Sequence, residues 1–220
     1  MRAVPDLDLS NFLLISSSFR DPYFMIYLVR HGQTEFNASS RWQGQVDSPL
    51  TELGRAQARR VGRSLGRLVD PADVTLFSSP LGRAHATASI ISEELGVSSD
   101  IILDARLMEV GMGSWDGLTD YEIEMEWPKA RDGLGRYEWF FHSPDGESYD
   151  AMETRLAGAL DEISNYPAAM KIIVSHGVAG RMIRRLFAGL DRQVGLSLDV
   201  PQDAIFRLEN GIVTRLECEA

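Results

Sequence analysis

Met25-Ile26-Tyr27-Leu28-Val29 is an apolar run that stops abruptly at Arg30-His31-Gly32. A short run of this kind, bounded by polar residues and glycine, predicts a strand that is buried on both faces. Such strands belong to parallel sheets, in which ligands bind just beyond the carboxyl ends of the strands. Arg30 and His31 are therefore the first residues to inspect for a function.

The same pattern recurs late in the chain, where Lys171-Ile172-Ile173-Val174 precedes Ser175-His176-Gly177. Two further apolar runs, 74–77 and 101–103, lie between these strands. Apolar residues at helical spacing predict helices between and after the strands, at 51–69, 83–95, 149–163 and 178–188. In the first of these, we expect Thr51 to be the N-cap and one face to be shared by Leu53, Val61, Leu65 and Leu68. This alternation predicts a three-layer α/β/α fold with a mainly parallel central sheet.

The end of the chain and one internal region depart from this alternation. Residues 204–209 and 212–217 flank Asn210-Gly211, a dipeptide that favours the type I′ turn of a C-terminal β-hairpin. Residues 118–146 are less regular and rich in aromatic side chains. We expect them to form a short insertion over the active site, where the aromatic residues either cap the core or line the substrate site.

The chain has 220 residues, a formal net charge of −10 and 44% apolar residues. This composition supports one large domain with its own core, and it disfavours a nucleic-acid binder or a basic membrane-surface protein. Cys218 is the only cysteine, which excludes an internal disulfide and favours a reducing, cytoplasmic location.

The hydropathy pattern bears on membrane insertion, secretion and domain organisation. No uncharged apolar run approaches the length of a membrane span, and residues 1–24 match a secretory signal poorly. We expect residues 1–24 to be a loose N-terminal extension and residues 25–220 to be a single catalytic domain.

The residues that follow the four predicted strands share one chemistry. Two arginines and two histidines would converge at the edge of the sheet and form an oxyanion site: Arg30, Arg83, His31 and His176. A neutral imidazole can attack phosphorus, and Glu109 could protonate a leaving alcohol. The helix that follows His176 would present free N–H groups to the anion. Spacing alone leaves a metal site of two histidines and one glutamate as an alternative.

The segment Leu28-Val29-Arg30-His31-Gly32-Gln33-Thr34-Glu35-Phe36-Asn37 resembles the Arg-His-Gly signature of the histidine phosphatase superfamily, which includes the cofactor-dependent phosphoglycerate mutases. Further blocks resemble the other characteristic stretches of that family, in the family's order. They are Arg41-Trp42-Gln43-Gly44, Ser78-Ser79-Pro80-Leu81-Gly82-Arg83, Leu107-Met108-Glu109, Pro144-Asp145-Gly146-Glu147-Ser148 and Val174-Ser175-His176-Gly177.

The resemblance implies a role for each matching residue. His31 would be the nucleophile that becomes phosphorylated, and Glu109 would be the general acid and then the base that activates water. The phosphoryl oxygens would be held by Arg30, Asn37, Arg83 and His176. Gln43 and Gly44 match positions that can line the substrate site. No metal or other cofactor is implied.

Three functions remain open at this point. We expect a metal-independent phosphomonoesterase that acts through a phosphohistidine intermediate on a small phosphorylated metabolite. The alternatives are mutase-type phosphoryl transfer and a non-catalytic binder of phosphorylated ligands. Residues 110–117 are closer to the phosphatase branch, and Val178 stands where the mutases usually carry asparagine. The substrate itself is not defined, and an exposed aromatic patch in 118–146 could form a homodimer contact.

Overall fold

A computed structural model of the chain describes residues 25–218. Within them, six strands form one mixed sheet in the order β3-β2-β4-β1-β5-β6. The strands are β1 (Met25–Arg30), β2 (Val74–Ser78), β3 (Ile102–Leu103), β4 (Met170–Ser175), β5 (Ala204–Glu209) and β6 (Ile212–Glu217). The predicted extension, residues 1–24, lies outside the described residues.

Seven α-helices in the described chain connect or flank these strands. They are α1 (Glu35–Ala38), α2 (Glu52–Leu65), α3 (Gly82–Leu95), α4 (Asp120–Glu126), α5 (Tyr149–Ser164), α6 (Gly177–Ala188) and α7 (Arg192–Ser197). None of these helices is long and apolar enough to cross a membrane.

Strand β1 shows why the sheet is covered on both sides. It pairs in parallel with β4 and antiparallel with β5, so it lies inside the sheet. Its side chains alternate between two cores. Ile26 and Leu28 pack into the cluster formed with α5 and α6, whereas Tyr27 and Val29 pack into the cluster formed with α2 and α3. The predicted three-layer fold with a mainly parallel sheet is confirmed.

The predicted C-terminal hairpin is also confirmed. Strands β5 and β6 pair antiparallel over their full length around Asn210 and Gly211. Both turn residues have positive φ, 51° and 74°, as a type I′ turn requires. The hairpin adds the antiparallel edge to an otherwise parallel sheet.

Helix α2 differs from its prediction in length and in its buried face. Thr51 caps it as expected, since its side chain accepts a hydrogen bond from the Gly54 N–H. However, the helix ends at Leu65, and Leu53 and Leu68 are 52% and 41% exposed. Val61 and Leu65 are buried as predicted, and small residues complete this face: a Cβ on Gly62 would come within 2.7 Å of the Glu94 Cβ. The close approach of α2 and α3 therefore depends on Gly62 together with Val61 and Leu65, whereas the prediction is wrong for Leu53 and Leu68.

Candidate active site

The main pocket opens at the carboxyl ends of β1 and β4, where the sequence predicts the site. It has a volume of about 830 Å³. Seven of the eight predicted site residues line it: Arg30, His31, Asn37, Gln43, Gly44, Arg83 and Glu109. The eighth, His176, lies just behind the pocket wall, and its ring centroid is 5.1 Å from that of His31. The fold therefore brings the predicted residues to one place.

His31 is held as a neutral nucleophile would have to be. Its ring is buried, and Nδ1 lies 2.8 Å from the Gly32 carbonyl oxygen, to which an Nδ1–H group donates. That hydrogen bond leaves Nε2 with its lone pair. Burial lowers the pKa of His31 well below its usual value, and the positive charges of Arg30 and Arg83 lower it further. The imidazole is therefore uncharged at neutral pH.

Gly32 is required where β1 turns away from the sheet. A Cβ at this position would come within 2.2 Å of the Gly54 carbonyl oxygen, so the turn packs directly on the start of α2. The Gly32 N–H donates to the Thr87 hydroxyl of α3 at 3.2 Å. These contacts fix the carbonyl that orients His31.

Arg83 reaches the pocket from α3 and is almost fully buried. Its terminal nitrogens donate to the carbonyl oxygens of Gly44 at 2.7 Å and Val46 at 2.9 Å, and one lies 3.3 Å from the Asp47 carboxylate. Its Nε has no hydrogen-bond partner among the described residues. A buried donor without a partner is costly, and an oxyanion in the pocket would satisfy it.

Arg30, at the end of β1, is held by backbone in the same way as Arg83. One terminal nitrogen donates to the Val200 carbonyl oxygen, and its buried Nε is unpartnered within the described chain. Burial lowers the pKa of Arg30 to about 10, although the Glu109 carboxylate opposes this shift. The guanidinium remains cationic at neutral pH, so two arginines face the space beside His31.

His176 is oriented by a residue whose role the sequence did not define. Its Nε2 lies 2.7 Å from the Ser79 hydroxyl, which follows β2. Nδ1 is buried without a partner in the described part of the chain. Burial lowers the pKa of His176 well below its usual value, with Arg83 and His31 adding to the effect. A second neutral imidazole therefore lies behind His31.

Glu109 corrects one prediction about the start of α6. The Val178 N–H donates to Oε2 at 3.0 Å, and the Ala179 N–H donates to Oε1 at 2.9 Å. The sequence predicts that the amides at the start of α6 are free to bind a substrate anion. That prediction is wrong for Val178 and Ala179, because both amides donate to Glu109. Oε1 also accepts from the Val110 N–H, whereas Oε2 has only one amide donor. Oε2 is thus the oxygen with room for a proton.

The backbone around Glu109 is held by Arg155, which sequence reasoning missed. Arg155 donates to the carbonyl oxygens of Arg106, Met108 and Glu109, and it pairs with Glu147 at 2.6 Å. The only sequence signal is Glu147 itself, in a block that resembles the family, eight residues before Arg155. The contact spans two distant segments, so spacing could not predict it.

Asn37, Gln43 and Gly44 lie in the pocket for different reasons. The Asn37 side-chain oxygen accepts from the Thr34 N–H at 3.2 Å and from Gln202 Nε2 at 3.0 Å. Gln43 is buried, and its side-chain oxygen is unpartnered among the described residues. Gly44 contributes backbone, because at its φ of +51° a Cβ would sit 1.5 Å from Asp116. Gly44 therefore positions Arg83 through its carbonyl group.

The far wall of the pocket comes from the predicted insertion and from α6. It includes Asp120, Arg131, Arg136, Tyr137, Trp139, Phe140 and Arg181. Trp139 and Phe140 are buried in the core cluster while they line the pocket, so the aromatic residues cap the core and form the substrate wall at once. Sequence reasoning missed Arg181, which lies one helical turn after the start of α6.

The alternative metal site gains no geometric support in the described residues. No three histidine, cysteine, aspartate or glutamate side chains between residues 25 and 218 form a group that could hold an ion. His31 Nδ1 and both Glu109 oxygens are engaged by backbone groups, and His176 Nε2 is engaged by Ser79.

The three-layer α/β fold thus carries an Arg-His pair at the end of β1 and a second histidine directly after β4. The profile of the histidine phosphatase superfamily (branch 1) matches residues 26–211, and the chain belongs to this superfamily. Members of the superfamily are enzymes, so the chain is placed in an enzymatic class.

Two bacterial relatives are similar in sequence to this chain over most of its length. The probable phosphoglycerate mutase GpmB of Photorhabdus laumondii is 38% identical over 202 residues, which cover 87% of this chain and 84% of the relative. The protein of the same name from Erwinia tasmaniensis is 38% identical over 192 residues, 84% of each chain.

Solved structures with the same fold include two proteins named as phosphatases. YhfR of Bacillus stearothermophilus is 30% identical, with a TM-score of 0.74, and the match covers 88% of this chain and 96% of that one. A mycobacterial glucosyl-3-phosphoglycerate phosphatase, solved with VO3, is 28% identical with a TM-score of 0.71 over 84% and 90% of the two chains. The α-ribazole phosphatase of Shigella flexneri, 20% identical with a TM-score of 0.76, shares the fold over 90% and 96% of the two chains.

Proposed function

We propose that this protein is a metal-independent phosphomonoesterase that transfers the phosphoryl group of a small metabolite to His31 and then to water. The observation that carries the proposal is the state of His31. It is a buried, uncharged imidazole whose Nδ1 is tied to a backbone carbonyl, and it faces a pocket lined by Arg30 and Arg83. Such a ring presents one free lone pair to an electrophilic phosphorus.

The first step forms the phosphoenzyme. The lone pair of His31 Nε2 attacks phosphorus, and the bond between phosphorus and the ester oxygen breaks. The leaving alkoxide takes the proton of a protonated Glu109 and departs as an alcohol. Arg30 and Arg83 neutralise the charge on the phosphoryl oxygens throughout the transfer.

The second step regenerates the enzyme. Glu109, now a carboxylate, takes a proton from water, whose oxygen attacks phosphorus as the phosphorus–Nε2 bond breaks. The products are inorganic phosphate and a neutral His31. The Gly32 carbonyl holds the Nδ1–H of His31 in both steps, which keeps Nε2 directed at the substrate.

Mutase chemistry is the second candidate, and the names of the relatives favour it. A mutase must hold a second phosphate while the phosphohistidine is protected from water. Two of the distal cations are already neutralised, because Arg41 pairs with Glu122 at 2.8 Å and Arg131 pairs with Asp120. The glucosyl-3-phosphoglycerate phosphatase among the structural neighbours also supports hydrolysis as the leading proposal.

The pocket and the composition suggest the setting of the reaction. A volume of about 830 Å³ suits a small metabolite and not a nucleic acid or a membrane surface. The single cysteine, Cys218, fits a reducing cytoplasm. A homodimer and a domain spanning residues 25–220 remain part of this proposal.

The test is phosphate release from p-nitrophenyl phosphate in the presence of a chelator. We expect release by the wild type and a loss of about 10³-fold or more in His31→Ala. His85→Ala is the matched control, since His85 is exposed on α3 and should keep wild-type turnover.

Product analysis with 3-phosphoglycerate separates the candidates. Inorganic phosphate as the main product supports the phosphatase. Isomerisation with negligible hydrolysis would establish the mutase instead. Loss of turnover in chelator would point to a metal enzyme, and absence of any turnover with retained phosphate binding would leave a binding protein.

A further inference from the structure

Glu109 lies on a loop, residues 106–111, that is held in place mainly by side chains from elsewhere in the fold. The loop follows β3 and includes no strand. The Ser175 hydroxyl, at the end of β4, donates to the Leu107 carbonyl oxygen at 2.8 Å. Gln45 Nε2 donates to the Glu109 carbonyl oxygen at 3.2 Å. Three further contacts with loop carbonyls come from a single residue, Arg155 of α5.

Arg155 uses all of its hydrogen-bond donors in these contacts and in one ion pair. Its Nη1 donates to the carbonyl oxygens of Arg106 at 2.7 Å and Met108 at 2.8 Å, and its Nη2 donates to that of Glu109 at 3.1 Å. Nε and Nη2 donate to the two carboxylate oxygens of Glu147 at 2.6 and 2.7 Å. A guanidinium has five N–H donors, and these contacts occupy all five.

This saturation distinguishes Arg155 from the two arginines beside His31. The Nε atoms of Arg30 and Arg83 are buried without a partner among the described residues, so each can still donate to an anion. Arg155 has no donor left for a substrate, and it is not among the residues that line the pocket. Any effect of Arg155 on the reaction must therefore pass through the loop of Glu109.

Glu147 connects Arg155 to the far end of the loop. Its Oε2 accepts from the Gly111 N–H at 3.3 Å, and its own N–H donates to the Gly111 carbonyl oxygen at 2.6 Å. The side chains of Arg155 and Glu147 are each only 17% exposed. A bidentate pair of this kind has one preferred geometry, so it fixes both ends of the loop relative to α5.

We propose that Arg155 is a positioning residue that, together with Glu147, sets the place of the Glu109 carboxyl group relative to the oxygen atoms it protonates and deprotonates. Arg155 then controls the two proton transfers and not the attack of His31 on phosphorus. The inference rests on the proposed function, in which Glu109 is the acid and the base.

Two esters that differ only in the leaving group test this separation. p-Nitrophenolate leaves without a proton, whereas phenolate is a poorer leaving group and needs one. In Arg155→Met, we expect the burst of p-nitrophenol to keep its rate within about 2-fold. Phenol release from phenyl phosphate should slow by about 10- to 100-fold, since a small displacement of a reacting group has an effect of this size. Adding Arg155→Met to Glu109→Gln should cause little further loss, because both changes act through one carboxyl group.

Arg106→Met is the matched control. It removes the same charge from the same loop, but the Arg106 side chain pairs with Asp104 at 2.8 Å and Glu162 at 2.7 Å, and its carbonyl group is kept. Both esters should react at wild-type rates in this variant. Arg155→Lys keeps the charge and loses the planar fork, so its rate with phenyl phosphate should be intermediate.

Hydrogen exchange of the Val178 and Ala179 amides gives a second readout that needs no turnover. Both amides donate to the Glu109 carboxylate. If Arg155 positions that group, exchange at these two amides should be about 10-fold faster in Arg155→Met and unchanged in Arg106→Met. Glu147→Gln, which weakens the ion pair without removing Arg155, should change both readouts in the same direction. It provides the test if Arg155→Met does not fold.

Equal slowing of both esters in the Arg155 variants would overturn the inference, because it would mean that Arg155 supports the whole site. Unchanged rates and unchanged amide exchange would overturn it as well. Failure of the proposed function looks different: Glu109→Gln itself would not discriminate between the esters, while faster exchange in Arg155→Met would persist. Discrimination by Glu109→Gln but not by Arg155→Met would reject the positioning role alone.

Discussion

The two ends of the pocket are built in different ways. At the phosphoryl end, the part of the pocket around Arg30, His31 and Arg83, buried side chains lie at strand ends or at the start of α3. They are tied to backbone groups, as His31 is to Gly32 and Arg83 is to Gly44. At the distal wall, which residues 118–146 and α6 form, partly exposed side chains of the insertion pair with each other, as Arg131 does with Asp120. Backbone anchors give the reacting groups one geometry, whereas side-chain pairs can be exchanged without disturbing the sheet. We therefore propose that the residues at the edge of the sheet carry the chemistry and that the insertion determines the selectivity.

The largest effect tests whether Glu109 is part of the reacting end. Glu109→Gln keeps one acceptor oxygen, which can accept from the Val110 and Ala179 amides, but it removes the acceptor for the Val178 amide together with the proton donor and base. We expect kcat for an alkyl phosphate to fall by about 10²- to 10⁴-fold. p-Nitrophenolate needs no proton to leave, so the first turnover of p-nitrophenyl phosphate should remain fast and the second should be slow. Stopped-flow kinetics would show a burst of about one p-nitrophenol per active site.

Asp120→Asn provides the matched change at the distal wall. It removes one carboxylate from the pocket lining without touching the phosphoryl end. We expect its effect to fall on KM and not on the burst. A Glu109→Gln protein that is equally slow in its first and later turnovers would place Glu109 outside the proton transfers.

The next effect concerns the stability of the protein, which should depend on pH through the two buried histidines of the phosphoryl end. The pKa values of His31 and His176 lie well below 6.5 in the folded protein. Below about pH 6.5 the unfolded chain takes up protons at these two rings and the folded chain does not. The unfolded state is therefore favoured as pH falls. The free energy of unfolding should decrease by up to roughly 2.7 kcal/mol per pH unit until the folded rings also titrate.

Urea unfolding between about pH 7.5 and pH 5.5 measures this slope. His176→Gln should remove about half of it, whereas His85→Gln changes an exposed histidine and serves as the control. A slope that is the same in His176→Gln and in the wild type would contradict buried, neutral histidines at the phosphoryl end.

The smallest effect concerns the connection between the two ends, residues 198–202. The Leu198 carbonyl accepts from Arg181, the Val200 carbonyl accepts from Arg30, and Gln202 donates to Asn37. This segment therefore positions side chains of both ends. Gln202→Met removes the hydrogen bond to Asn37 and keeps the length of the side chain. We expect KM for a phosphate ester to rise by about 2- to 10-fold with kcat nearly unchanged.

Asp203→Asn is the control for this segment, because Asp203 is the exposed neighbour of Gln202. Thermal unfolding of both variants shows whether the segment has merely been destabilised. A fall in kcat with no rise in KM would show that Gln202 acts on the reaction step and not on phosphate binding.

The same contrast between the two ends explains which features could be predicted from the sequence. Apolar runs mark strands, and parallel strands end at one edge of a sheet, so the sequence alone places Arg30, His31 and His176 together. The exposed Leu53 of α2 was mispredicted because helical periodicity does not reveal which face a neighbouring helix covers.

The contacts of Glu109 with α6 were beyond the reach of sequence patterns. They join residues that are 69 and 70 positions apart in the chain. Long-range contacts of this kind depend on how irregular segments return to the sheet, and neither spacing nor propensity encodes that path.

Arg155 and Arg181 were missed for the same reason. Arg155 holds the loop of Glu109 through three backbone carbonyls, and the Arg181 guanidinium lies over the Tyr137 ring of the insertion. Each is an ordinary arginine on an amphipathic helix until the loop opposite it is placed. The phosphoryl end was therefore largely predictable, and the distal wall was not.

The most direct test of the proposed mechanism is to trap the phosphoenzyme. Glu109→Gln is mixed with ³²P-labelled p-nitrophenyl phosphate, whose leaving group needs no proton, then quenched in alkali to preserve phosphohistidine and digested for peptide mapping. If His31 is the nucleophile, about one label per active site will be found on His31, released by acid, and none in His31→Ala. Release of phosphate from the wild type with no label trapped on His31, or with the label on another residue, would contradict the mechanism.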